Sequence, residues 1–128
     1  MSKNQPMPEA DYRTISQQYA QGGINASILI NGGAAVAALS QFASLENLMS
    51  AWTIGAAMML YATGVLGGMV AWLSGFMASR YVDRALRGEE GDYEKSDVWM
   101  FSGVLTIIVS GLAFFAACLV LAAGLIRV

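Results

Sequence analysis

Few polar side chains sit inside apolar sequence here, and they limit the chemistry open to the chain. Asn25, Asn31 and Gln41 fall within one uncharged run, Ile24–Phe42. An amide in such a place either lines a water-filled path, here with Ser27 and Ser40, or hydrogen-bonds a neighbouring helix through Thr106, Ser110 or backbone. Neither use is catalytic. Histidine is absent from the whole chain. That removes bis-histidine haem, histidine-ligated metal and the commonest general base together. The single cysteine, Cys118, lies in an apolar run, so no intrachain disulfide forms and the thiol reads as a small hydrophobe.

Glycine pairs at Gly32-Gly33 and Gly67-Gly68 lack the Lys-Ser/Thr that a phosphate loop requires, and both lie in apolar surroundings. The acidic stretch Gly88–Lys95 does not have EF-hand spacing and reads as a solvated loop. No catalytic, cofactor-binding or metal-ligating set is assigned, and the expectation is that the chain is not an enzyme. Arg80, Arg84 and Arg87 are placed where they meet anionic lipid head groups, which needs only position and charge. A net charge of −2 offers nucleic acid no basic face.

The elements that hold these residues follow from hydropathy. Hydrophobic residues make up 56% of the chain and charged residues 12%, about half the charge of an ordinary soluble domain. The charges are gathered near the start, in Arg80–Asp97 and at Arg127, and Glu46 stands alone. Between them lie Ile24–Phe42, Ile54–Ala78 and Val98–Ile126. The first, roughly nineteen residues, reaches about 28 Å, just enough for a hydrocarbon core of about 30 Å. For it alone, a soluble helical hairpin or a cleaved signal peptide is the competing reading. The other two are longer and apolar on every side, which a soluble core helix rarely is. The expected fold is all-α: three transmembrane helices, at about 24–42, 54–79 and 98–126, with an amphipathic helix before them.

That amphipathic helix is expected over 9–23, lying at the interface or continuing into the first span, with Gly22-Gly23 as a place to bend. Residues 1–8 read as a disordered tail. Beyond the second span, Asp83 and Arg87 have the favourable i,i+4 order, Gly88 ends the helix, and Ser96 or Asp97 caps the next. Lys3, Arg13, Arg80, Arg84, Arg87 and Lys95 outweigh Arg127. The positive-inside rule therefore places the N-terminus and the 80–97 loop in the cytoplasm and the C-terminus outside. Trp52, Tyr93 and Trp99 fall near the interfaces.

Hydrophobicity does not drive helices together in lipid, so small residues mark the packing surfaces. On the second span these are Gly64, Gly68, Ala71 and Gly75, with Ala57, Tyr61 and Ala78 along the same face. On the third they are Thr106, Ser110, Ala113, Ala117 and Gly124. They serve either packing within the chain or an interface with another one.

The stretch Leu29-Ile30-Asn31-Gly32-Gly33-Ala34-Ala35-Val36, preceded by the amphipathic helix, resembles a motif of small bacterial inner-membrane proteins of unassigned function. The resemblance covers about the first 45 residues and implies a bacterial inner-membrane location and no activity. Three-span anchors of succinate dehydrogenase and fumarate reductase are similar in size, but the missing histidine excludes a haem-bearing one. Three-span phage holins are similar too, although they usually end in a charged cytoplasmic tail. Two functions follow as expectations. The first is a non-catalytic subunit, structural or accessory, partnered with the bilayer and with itself or another membrane protein. The second is a homo-oligomeric, holin-like or channel-like pore lined by Asn25, Asn31 and Gln41.

Overall fold

A computed structural model describes residues 9–126; the tail 1–8 and Arg127 lie outside them. Four helices follow in order: α1 (Glu9–Ser40), α2 (Phe42–Glu46), α3 (Ala51–Leu86) and α4 (Glu94–Ile126). There is no strand among the described residues. α1, α3 and α4 each contain a stretch long and apolar enough to cross a membrane. The chain is thus all-helical, with three helices of that kind.

Each helix outruns its apolar stretch. α3 has 36 residues, about 54 Å at 1.5 Å per residue and well over a hydrocarbon core. α1 passes through Gly22 and Gly23 without interruption. Of the two expected arrangements, the helix that starts at Glu9 takes the continuous one and runs on into the first apolar run, because a glycine pair lowers helix propensity without breaking the hydrogen-bond ladder. Gln41 interrupts the helix next, and the five-residue α2 leads to Ser50, whose hydroxyl caps α3 by accepting from the Thr53 N–H at 3.2 Å.

α3 ends as expected at Gly88, the residue that takes a positive φ of 74°. The Gly88 N–H donates to Ala85 and the Glu89 N–H to Arg84, both at 3.0 Å, which satisfies two of the last carbonyls. α4 departs from expectation by starting at Glu94, whose N–H donates to the Asp92 carboxylate at 3.1 Å. Ser96 is no cap. It lies inside the helix, buried, and donates to the Ala78 carbonyl of α3 at 3.1 Å.

α3 and α4 form the main antiparallel pair, and α1 packs chiefly on α3. Their seam has a rule that the residue pattern explains. Ala57, Gly64, Ala71 and Ala78 recur every seventh residue on α3, as do Ser96, Gly103, Ser110 and Ala117 on α4. All eight are buried. They meet in opposite order: Ser96 with Ala78, Gly103 with Ala71, Ser110 with Gly64, and Ala117 with Ala57. A seven-residue repeat keeps one face on its partner when two helices coil left-handedly. Small side chains at every repeat let the backbones approach until a serine hydroxyl reaches the facing carbonyl.

Candidate functional site

The three helices converge at one polar node. Ser110 on α4 donates its hydroxyl to the Gly64 carbonyl of α3 at 2.7 Å. Its Oγ accepts from Asn31 Nδ2 of α1 at 3.1 Å, and the same Nδ2 reaches the Ser27 carbonyl at 2.9 Å and the Ser110 carbonyl at 3.5 Å. Two backbone carbonyls can only accept, so they dictate which end of the amide faces them. Asn31 Oδ1 then turns to Gly64 and has no hydrogen-bond partner. A side-chain carbon on Gly64 would fall within the Asn31 carboxamide itself. One glycine Cα–H therefore points at the amide, a weak contact in place of a full bond. The node lies within about two residues, or about 3 Å, of the middle of all three apolar runs.

Glycines on α3 admit both neighbours. Gly64 and Gly68 face α1, Gly68 toward Ile24, Ser27 and Ile28, while Gly67 faces Thr106 and Ser110 of α4. Ala57 and Ala117 pack with Tyr61, whose ring tilts against Phe114 at 5.9 Å between centroids and whose hydroxyl lies 3.6 Å from Cys118 Sγ.

Gly64, Gly68, Ala71, Ser110 and Ala117 thus all turn into the chain's own interior. Gly75 is exposed, with nothing within 4 Å of an added Cβ, and Ser74 takes its place at the seam. Gly103 of α4 meets Ser74 and the Ala71 carbonyl. The amides expected as one lining also separate. Asn31 is buried, but Asn25 and Gln41 are exposed. At about 100° per residue, Asn25 lies about 120° to one side of Asn31 and Gln41 about 80° to the other. Thr106 bonds its own helix at Ser102 and Gly103. The seven-residue recurrence was the available signal for the seam. Ser74, whose buried hydroxyl lacks a partner, and Ser96 were not singled out as packing residues.

A second cluster caps the charged end. Arg84 pairs with Glu89 (3.5 Å) and Glu90 (3.2 Å), Arg87 with Asp83 (3.0 Å) and Glu89 (3.5 Å), and Lys95 with Glu90 (2.7 Å). Arg84 and Lys95 also flank the Tyr81 ring at 5.7 and 5.8 Å. No group of three metal-ligating side chains occurs among the described residues. The Lys95 hydrogen bond holds the Glu90 carboxyl below the usual carboxylate range, and Glu90 in turn holds the Lys95 ammonium above the usual lysine range.

Glu90 therefore supports the loop above the ordinary carboxylate pKa, and that support is lost as pH falls through the lowered value. Lys95 supports it below the ordinary lysine pKa, until pH rises through the raised value. Amide exchange of residues 88–95, corrected for its intrinsic pH dependence, should show constant protection around neutrality and a loss in acid. Protection unchanged in acid would remove this ion pair as the loop's anchor.

An all-helical unit, with three helices fit by length and composition to cross a membrane and a polar node between them, is the class the geometry defines. No family model, curated protein or solved structure matches the chain.

Proposed function

We propose that the chain is a small integral protein of the bacterial inner membrane, a non-catalytic structural or accessory component of a larger assembly. Its N-terminus and the charged 80–97 segment lie in the cytoplasm and its C-terminus outside. One observation carries the role: the Asn31 amide is closed in by Ser27, Ser110 and Gly64, while Asn25 and Gln41 lie on other sides of the helix. Polar groups that turn inward and are largely consumed hold helices together; a conducting path needs them in line and wet. Large apolar side chains such as Leu29, Met59, Leu66, Phe101 and Phe115 point outward along all three long helices, as a lipid environment requires.

Because the small residues of the α3–α4 seam are used internally, a partner chain engages other surfaces. α1 presents Gly22, Ala26, Gly33 and Ala37 outward. Native mass spectrometry after gentle extraction from the source membrane tests the role. Different chains should co-purify with this one. A ring of identical subunits that conducts ions in a planar bilayer would replace this reading with the pore.

A further inference from the structure

We propose that Arg80 binds the phosphate of an anionic phospholipid, in a shallow site built on α3 by Phe76, Met77, Tyr81 and Arg84, with Trp72 stacked on Phe76 beside it. Arg80 is the first charge after the uncharged run of α3. It differs from the cations that follow it. Arg84, Arg87 and Lys95 each have a carboxylate within 3.5 Å. Arg80 has none among the described residues and rests instead over the Phe76 ring at 5.9 Å. A guanidinium lying on a ring leaves its N–H edge free, and that planar fork matches two phosphate oxygens.

The aromatic support continues down the helix. Trp72 stacks on Phe76 with ring centroids 6.2 Å apart and planes 11° from parallel. Trp72, Phe76 and Arg80 are spaced by four, so they form one ridge from the apolar run to its charged end. Trp72 remains 63% exposed and Phe76 49%. Beside the ridge is a depression of about 300 Å³ lined by Phe76, Met77, Arg80, Tyr81 and Arg84. Its walls are apolar at one end and cationic at the other. That polarity fits a phosphodiester with its glycerol and the start of an acyl chain. A free phosphate would use the cation and leave the apolar wall empty, so the lipid is the occupant.

Compensation of the other charges makes the site selective. Anionic lipid at Arg84 or Arg87 must compete with carboxylates already in place, whereas at Arg80 no carboxylate among the described residues stands in the way. This inference rests on the chain being inserted in a membrane, and the experiment separates the two. Full-length protein and its variants are first floated with phosphatidylglycerol/phosphatidylcholine vesicles. Protein that fails to float with them overturns the membrane reading and the site together. Retention of single lipids is then titrated by native mass spectrometry.

The native protein should prefer its first phosphatidylglycerol over phosphatidylcholine by about tenfold, as one charge-assisted contact implies. Arg80→Gln should reduce that preference to about twofold or less, and Arg80→Lys should keep part of it through a point charge without the fork. Arg87→Gln should leave it unchanged. An Arg80→Gln protein that floats and keeps its preference overturns the site. Equal losses in the two glutamine variants also overturn it, in favour of diffuse surface charge. Displacement of phosphatidylglycerol by millimolar inorganic phosphate would assign the site to a soluble anion instead.

Discussion

Gly64→Ala should destabilise the three-helix unit by about 3 kcal/mol, and removing Asn31 as well should restore most of the loss. The new methyl would occupy the space of the Asn31 carboxamide. Asn31 must then swing out, leaving its amide without Ser110 and Ser27. Asn31→Ala alone gives up the interhelical hydrogen bonds to the Ser110 hydroxyl and carbonyl, worth together about 0.6–2 kcal/mol since the second is long, and also removes the orphaned Oδ1. It leaves the Ser110–Gly64 bond in place. In the double variant the alanine methyl at position 64 enters the volume the amide has vacated. Its stability should match Asn31→Ala, giving a coupling of about 3 kcal/mol between the two sites, equal and opposite to the loss in Gly64→Ala alone. Unfolding in mixed detergent and SDS micelles, followed by tryptophan fluorescence, measures all four corners of the cycle. Strict additivity would mean that the two residues do not share this space.

The limits of the sequence reading have physical causes. Three apolar helices were legible because runs of that length need no tertiary information. Their ends were legible in part. The charge spacing and Gly88 marked the end of α3, but Glu94–Asp97 carry α4 into charged sequence that hydropathy alone assigns to a loop. Gly75 was expected at the seam because a 4,3,4 spacing extends naturally to it. Ser74 lies there instead, against Gly103 of α4. Asn31 was legible as an amide needing a partner, and Ser110 was one of the partners named for it. Which partner it finds depends on how α1 sits against the α3–α4 pair, a property of three helices at once. The grouping of Asn25 and Gln41 with it came from shared composition, and helical angle separates them.

Leucine at two glycines of α4 should have opposite consequences. Gly103 faces α3 so closely that a Cβ would lie 3.4 Å from Ser74 Cβ and 3.6 Å from the Ala71 carbonyl. Alanine fits at those distances, and Gly103→Ala should change stability by no more than about 0.5 kcal/mol. The further carbons of leucine have only the α3 backbone to enter, so the helices must part. Ser96–Ala78 and Ser110–Gly64 lie one repeat to either side, about 10 Å away, and both hydrogen bonds stretch with the seam. Gly103→Leu should therefore cost more than about 3 kcal/mol, combining overpacking with lost interhelical bonds. Gly111 is exposed, with nothing within 4 Å of an added Cβ. There leucine should be neutral or stabilise by up to about 1 kcal/mol through helix propensity. The same micelle unfolding assay reads both, and native mass spectrometry reads the assembly. If Gly111→Leu leaves the isolated chain stable but releases a co-purifying subunit, that face of α4 is where the partner sits. If Gly103→Leu is tolerated, the small residues of α4 do not hold it against α3, and the seven-residue seam is not what positions the Asn31 node.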